Sequence, residues 1–157
     1  MKKIVTISSV QTKKIGQDFA RKIKSGGVIC LTGDLGAGKT TFAQGFLKAL
    51  GVKGPYTSPT FLVMKRYRIN PRHSQRKTRK EKSLRVMSYE LGDIYHIDAY
   101  RIKDKDLLNL GWKEIIADPK NIVVIEWADR VKKIVPKNSL WINFEWLDEK
   151  KRRIILS

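Results

Sequence analysis

The spacing of apolar residues predicts a helix near the start of the chain. Ile15, Phe19 and Ile23 recur every four residues, which is the period of one helix face. Ser8 is placed to cap the start of this helix, and the glycine pair at 26–27 is placed to end it. We therefore predict a helix that begins after Ser8 and buries one face.

Two more helical patterns follow along the chain. In the first, the apolar positions recur at helical spacing: Phe42, Phe46, Leu47 and Leu50. Gly51 comes directly afterwards and can close that helix in the left-handed conformation that glycine tolerates. The stretch "DKDLLNLGWKEII" at 104–116 also has a mostly helical pattern.

Strand-length patterns separate these helices. "VICL" at 28–31 and "NIVVIE" at 121–126 are continuously apolar, as is typical of strands covered on both faces in a parallel sheet. "SLWINFEW" at 139–146 alternates strictly, and "RRIIL" at 152–156 can pair with it as a hairpin that forms an antiparallel edge. Further strands are predicted at 3–7, 61–69 and 93–98.

The stretch "GDLGAGKTT" at 33–41 fits the phosphate-loop pattern G-x-x-x-x-G-K-[ST] without a mismatch. It lies between a predicted strand and a predicted helix, which is where such a loop belongs. The glycines let backbone N–H groups turn toward phosphates, and the helix adds its positive amino-terminal end. Lys39 is expected to reach the β- and γ-phosphates, and the Thr40 hydroxyl is expected to bind Mg²⁺.

This motif predicts both the fold and the nucleotide contacts. Strand, glycine loop and helix in this order predict an α/β P-loop NTPase, a three-layer sandwich with a mostly parallel central sheet and antiparallel hairpin additions. The residues expected to contact the nucleotide are Asp34, Gly36, Ala37, Gly38, Lys39, Thr40 and Thr41.

Two acids end predicted strands, where a magnesium site beside a phosphate loop would need them. Asp98 closes "YHID" and Glu126 closes "VVIE", and the four apolar residues before Glu126 make it the better Walker B candidate by pattern. We expect both acids, with Thr40, to form the metal site. His96 and Trp127, their neighbours, are interpreted as core packing, since a lone histidine within a strand is more often a satisfied core side chain.

Composition and charge limit the classes of partner. With 157 residues the chain is expected to form one domain spanning 1–157. Its net charge of +18 favours binding to a polyanionic partner such as nucleic acid. Residues 65–85 hold ten Lys or Arg and one acid, so we predict a basic, mobile insertion at about 70–88.

The sequence also excludes several classes of protein. The single cysteine, Cys30, lies in an apolar run and can support neither a disulfide framework nor a cysteine metal cluster. No apolar run approaches the roughly 20 residues of a membrane span, and the start of the chain lacks the features of a secretory signal. A cytoplasmic protein is expected.

Taken together, the motifs resemble the TsaE family of bacterial ATPases, also called YjeE, of tRNA threonylcarbamoyladenosine biosynthesis. The resemblance rests on "LTGDLGAGKTTFAQGFLKALG", "SPTF", "HIDAYR", "LGW" and "IEWADR", in this order along nearly the whole chain. It implies an ATP- and Mg²⁺-dependent ATPase that hydrolyses ATP with the partner proteins TsaD and TsaB. The tRNA is then expected to be reached through the complex, with the threonylcarbamoyl transfer performed by TsaD.

The resemblance also implies roles for individual residues. Lys39 and Thr40 fall in the phosphate loop, Thr60 in a switch-like loop, Asp98 in the Walker-B-like position and Glu126 in the position of an essential acid. We expect Lys39, Glu126, Asp98 and Thr60 to be catalytic, with Glu126 positioning the water. The segment 8–12 matches the part of the family that lies near the adenine.

One feature departs from the family and two other functions stay open. The 70–88 insertion replaces a short connection in relatives, and we hypothesise that it contacts tRNA. The alternatives are a small-molecule kinase of the shikimate-kinase size class and a nucleic-acid-binding P-loop protein. Whether Asp98 or Glu126 ligates Mg²⁺ directly is left open by the sequence.

Overall fold

The computed structural model describes residues 2–56, 62–68 and 91–156 of the chain. Its elements in chain order are β1 (Lys2–Thr6), α1 (Ser9–Ala20), β2 (Gly27–Gly33), α2 (Lys39–Ala49), β3 (Met64–Tyr67), β4 (Ile94–Asp98), α3 (Asp104–Asn109), α4 (Trp112–Ala117), β5 (Ile122–Glu126), a 3-10 helix (Ala128–Val131), β6 (Leu140–Trp146) and β7 (Arg152–Leu156). The predicted switch-like loop with Thr60 and the basic insertion at 70–88 lie outside the described residues. Within the described ranges no helix has the length and apolarity needed to cross a membrane.

The strands form one sheet in the order β1-β7-β6-β2-β5-β4-β3. β6, β2, β5 and β4 run parallel to one another, whereas β3 is antiparallel to β4 and β7 is antiparallel to both β6 and β1. Every residue of β4 and β5 is buried, as strands covered on both faces require. The predicted mostly parallel sheet with antiparallel additions is confirmed.

Helices cover both faces of this sheet and create two apolar cores. On one face α1 and α2 pack over β2 and β6, and the ring centroids of Phe42 and Phe144 lie 5.4 Å apart. On the other face α3, α4 and the 3-10 helix enclose Trp112, whose indole N–H donates to the carbonyl of Ile134 at 2.9 Å. The predicted three-layer sandwich is therefore confirmed.

One predicted helix boundary is wrong, and one predicted helical stretch is divided in two. α1 ends at Ala20 and does not continue to the glycine pair, because the backbone N–H groups of Lys22 and Ile23 bond three residues back and tighten the chain into a turn. Ile23 still packs against the first core. The helical stretch at 104–116 is divided at Gly111, whose φ of 82° ends α3 before α4 begins.

The carboxy-terminal hairpin also lies deeper in the sheet than its pattern predicted. β6 and β7 pair as expected, but β6 is inserted beside β2, and β1 forms the antiparallel edge. This register brings Gly33, the last residue of β2, opposite Phe144. The hairpin therefore borders the phosphate loop.

Two glycines allow α1 and α2 to meet at backbone distance. A Cβ on Gly16 would lie 2.2 Å from the Phe42 carbonyl oxygen, and one on Gly45 would lie 2.1 Å from that of Lys13. Both distances are far inside van der Waals contact, so no larger residue fits unless the helices separate. Since Lys39 and Thr40 begin α2, this close packing also fixes the position of the phosphate loop.

Gly45→Ala should destabilise the protein by about 1–3 kcal/mol, because the added methyl group forces α1 and α2 apart. Gln44→Ala on the same helix is the matched control and should cost far less. Urea unfolding of both variants measures the difference. A Gly45→Ala protein as stable as the Gln44→Ala control would show that the two helices are not in backbone contact.

Cys30 on β2 is fully buried, as the sequence predicts for a small core side chain. Burial raises the pKa of its thiol from 9.0 to about 12, with an opposing hydrogen bond from Ser139. The thiolate is the reactive form of cysteine, so this side chain should be inert in the folded protein.

At pH 8 the native protein should react with iodoacetamide at Cys30 only as fast as it unfolds. Its free energy of unfolding should fall as pH rises from 9.0 toward 12, since the unfolded chain loses the thiol proton first. Mass spectrometry follows the labelling, and a Cys30→Ala variant isolates the thiol's share of the pH dependence. Rapid labelling under native conditions would contradict a buried thiol.

Candidate nucleotide site

The phosphate loop connects β2 to α2 through backbone conformations that favour glycine. Gly36 and Gly38 have φ values of 75° and 103°, and Gly38 caps the start of α2. Gly33 has a φ of 118°, and a Cβ there would lie 1.9 Å from the carbonyl oxygen of Phe144 on β6. A Cβ on Gly36 would meet no atom within 4 Å, so the chain here borders open space in which phosphates can approach the backbone.

Lys39 is the most deeply buried cation of the site, with 4% of its surface exposed. Its ammonium donates to the carbonyl oxygens of Gly33 at 2.6 Å and Asp34 at 2.8 Å. Burial lowers the pKa of Lys39, and the charge of Glu126 is the largest opposing influence. The fold therefore holds a desolvated positive charge beside the loop, which is the property an anion-binding lysine requires.

Trp127 covers this ammonium. The Lys39 Nζ atom lies 3.7 Å from the centroid of the Trp127 ring, and Tyr100 packs against the same ring at 4.9 Å between centroids. Trp127 has a φ of 59°, a conformation that costs a bulky residue on the order of 1–3 kcal/mol and occurs mostly at functional sites. Trp127 is a packing residue, as interpreted from the sequence, and one of the side chains that it packs against is Lys39 of the phosphate loop.

Glu126, the last residue of β5, is held from two sides. Its Oε2 atom accepts a hydrogen bond from the Thr40 hydroxyl at 2.5 Å, and its Oε1 atom lies 2.9 Å from Nε2 of His96. Only 2% of the Glu126 surface is exposed. The start of α2 and the ends of β4 and β5 thus meet at one carboxylate.

Asp98 lies beside Glu126 because the two residues are register partners at the ends of the parallel strands β4 and β5. Its Oδ1 atom accepts from the backbone N–H of Tyr100 at 2.9 Å, and 5% of its surface is exposed. The structure therefore brings Asp98, Glu126 and Thr40 to one edge of the sheet. Of the two acids, Glu126 is the one that accepts the hydrogen bond described above from the Thr40 hydroxyl.

These oxygen donors fit Mg²⁺ bound together with a nucleotide. Two carboxylates and a hydroxyl are hard ligands, and Mg²⁺ in such sites takes its other ligands from phosphates and water. No group of three or more His, Cys, Asp and Glu side chains that could hold a metal occurs in the described ranges.

Two cavities open on either side of the phosphate loop and share Gly36, Gly38 and Thr41. The first is about 300 Å³ and is lined by the loop together with Lys39, Thr40, Asp98, Tyr100, Arg101, Glu126 and Trp127. The second is about 440 Å³ and is lined by the start of α1 and the β6–β7 turn, including Ser8, Thr12, Glu149, Lys150 and Arg152. The two cavities therefore adjoin along the phosphate loop.

The predicted contact residues divide between these cavities and the protein interior. Gly36, Gly38, Lys39, Thr40 and Thr41 line the first cavity together with both strand-end acids. Ala37 is fully buried, and Asp34 contributes its carbonyl to Lys39. Thr60 lies outside the described residues.

Arg152 is a site residue that the sequence analysis did not identify. Its Nε atom donates to the Gly36 carbonyl at 2.8 Å, and its Nη1 atom donates to the Asp148 carbonyl at 2.6 Å. The contact joins residues 116 positions apart and depends on β6 lying next to β2. No local pattern around Arg152 carries this information.

Comparison with known proteins agrees with this architecture. The family model described as Threonylcarbamoyl adenosine biosynthesis protein TsaE matches residues 6–80 and 82–154. The chain belongs to the TsaE family. The expected resemblance is thereby confirmed over nearly the whole length.

Individual TsaE proteins and one solved structure align with most of the chain. The tRNA threonylcarbamoyladenosine biosynthesis protein TsaE of Aquifex aeolicus is 33% identical over 156 residues, which is 98% of this chain and 94% of that protein. The TsaE of Bacillus subtilis is 31% identical and aligns over 95% of this chain and 80% of its own length. The crystal structure of Bacillus subtilis YdiB superposes with a TM-score of 0.70 at 28% identity, covering 99% of this chain and 83% of that one.

Lys39→Met should weaken ATP binding to this TsaE-family chain by about 10- to 100-fold, the equivalent of about 1.5–3 kcal/mol for hydrogen bonds to a charged group. Its unfolding temperature should stay within about 3 °C of wild type, because the loss of two hydrogen bonds and the removal of a desolvated charge oppose each other. Titration calorimetry and thermal unfolding give the two quantities.

Lys48→Met is the matched control, since Lys48 is exposed in the last turn of the same helix. It should change neither quantity. Unaltered ATP affinity in Lys39→Met would mean that the buried ammonium is not directed at the nucleotide.

Proposed function

We propose that this chain is a magnesium-dependent ATPase that supports the threonylcarbamoyladenosine modification of tRNA, acting with the TsaD and TsaB proteins. The proposal rests above all on the hydrogen bond between Thr40 and Glu126. That contact joins the hydroxyl of the phosphate loop to a strand-end carboxylate, which is the pairing a P-loop ATPase needs around its metal. The pathway follows from the relatives, which carry the name of tRNA threonylcarbamoyladenosine biosynthesis proteins.

In this proposal the loop and its lysine bind the triphosphate. Backbone N–H groups of residues 36–41 and the amino-terminal end of α2 face the phosphate oxygens. Lys39 exchanges the carbonyls of Gly33 and Asp34 for the β- and γ-phosphates, and Trp127 keeps water from its ammonium. The proposed binding thus uses a cation that the fold has already desolvated.

Thr40, Asp98 and Glu126 would hold Mg²⁺, which neutralises charge on the β- and γ-phosphates when bound. Glu126 also orients the water that attacks the γ-phosphate. The hydrogen bond from Thr40 directs one oxygen of this carboxylate toward the phosphate loop before the nucleotide binds.

The nucleoside belongs in the second cavity. The start of α1 and the β6–β7 turn form its walls, and this cavity adjoins the first along Gly36, Gly38 and Thr41. In this proposal a single ATP occupies both cavities.

The group transfer itself is assigned to TsaD, with this chain's ATP cycle supporting turnover of the complex in the cytoplasm. Under this proposal tRNA is contacted through the assembled complex. The 70–88 insertion, with its excess of Lys and Arg, is the proposed contact of this chain with tRNA.

Phosphate release in the presence of TsaD, TsaB and Mg²⁺ tests the proposal. The wild-type chain should hydrolyse ATP without an added small-molecule acceptor, and Glu126→Gln should reduce the rate by at least about 100-fold, since a group that orients or deprotonates the attacking water contributes that much. Glu114→Gln, at an exposed acid in the first turn of α4, is the control and should remain active.

A rate that depends on an added small acceptor would instead support the kinase. Full activity of Glu126→Gln with the partners present would contradict the assignment of Glu126.

A further inference from the structure

His96 is a buried polar side chain that the proposed reaction does not yet use. It lies in the middle of β4, none of its surface is exposed, and its neighbours on the same face of the sheet include Ile94 and Val124. Its Nδ1 atom has no hydrogen-bond partner in the described part of the chain. Burying a ring nitrogen without a hydrogen-bond partner lowers the stability of the fold. An apolar residue at this core position would avoid that loss.

The other ring nitrogen explains why a histidine is present. Nε2 of His96 lies 2.9 Å from Oε1 of Glu126. A carboxylate oxygen accepts hydrogen bonds, so we take Nε2 of His96 as the donor and Oε1 of Glu126 as the acceptor in this contact. The contact is enclosed on both sides, since His96 is fully buried and Glu126 is 2% exposed.

This donor restricts the orientation of the carboxylate. With Oε1 held by His96, the second oxygen, Oε2, is directed at the Thr40 hydroxyl. Glu126 has several rotatable bonds, and without His96 its carboxylate could turn away from Thr40 while remaining at the end of β5. A carboxylate whose two oxygens are both hydrogen-bonded cannot rotate in this way. The carboxylate of Glu126 is therefore positioned before the nucleotide binds.

We propose that His96 is a positioning residue, which acts on ATP hydrolysis by orienting Glu126 and does not itself contact the nucleotide. The inference rests on the proposed ATPase function. It assigns the histidine of "YHID" a part in the site, in place of its interpretation as core packing.

His96→Leu tests this directly because leucine fills the core position and removes only the donor. The variant should stay folded with a lower unfolding temperature, because Oε1 of the buried Glu126 loses its donor, and it should still bind an ATP analogue. Its kcat with TsaD and TsaB should fall by about 10- to 100-fold. His96→Gln, whose amide N–H can reach the place of Nε2, should recover most of the rate. Ile94→Leu is the control for a change in the same core and should leave the rate unaltered.

A double-mutant cycle separates positioning from general stability. If His96 acts through Glu126, His96→Leu should cause no further loss in a Glu126→Gln background. Independent, multiplicative losses would overturn the proposal. So would a His96→Leu variant with the wild-type kcat, or a His96→Gln variant as slow as His96→Leu.

A crystal structure of His96→Leu provides a readout that does not depend on catalysis. The proposal expects the Thr40 Oγ1 to Glu126 Oε2 distance to lengthen beyond hydrogen bonding, whereas an unmoved carboxylate would refute the positioning role. Absence of ATP hydrolysis by the wild-type chain with its partners would refute the proposed function instead, and the position of the carboxylate would still decide the role of His96.

Discussion

The hydrogen bond between Thr40 and Glu126 is the contact on which the site depends. It connects the first turn of α2 to the end of β5, and through His96 it reaches β4 as well. The order of the parallel strands makes the contact possible, because β5 lies directly between β2, which leads into the phosphate loop, and β4. A change in strand order would separate the hydroxyl from the carboxylate even if every residue were retained.

Two features of the site lower the stability of the unliganded fold: the burial of the Lys39 amine and the left-handed backbone of Trp127. Burial lowers the pKa of Lys39, and Trp127 adopts a left-handed backbone conformation with its ring over the Lys39 ammonium group. Neither feature benefits the core, where an apolar side chain and an extended backbone would be less costly. A buried amine and a strained backbone brought together at one site from two separate segments are typical of functional sites.

The sequence alone predicts much of this fold because its signals are local. Continuous apolar runs identified β2 and β5, the phosphate-loop pattern located Lys39 and Thr40, and strand-end positions identified Asp98 and Glu126. What it did not predict depends on tertiary contacts. Hydrogen bonds to residues three positions back end α1 at Ala20, and no apolar spacing encodes them.

The same limitation applies to the supporting residues of the site. Arg152 reaches Gly36 only because β6 is inserted beside β2, a placement that the alternation of the hairpin cannot specify. The sequence pattern places His96 in the core, and its contact with Glu126 on the neighbouring strand is visible only in the structure. Motif positions are therefore predictable from sequence, whereas the residues that hold them in place require the sheet order.

A crystal structure of the chain with Mg²⁺ and a non-hydrolysable ATP analogue tests the central claim most directly. We expect Lys39 to leave the Gly33 and Asp34 carbonyls for the phosphates, and Glu126 to keep its contact with His96 while facing the metal beside Thr40. A triphosphate bound away from residues 36–41, or a Glu126 side chain turned away from both Thr40 and the metal, would contradict it.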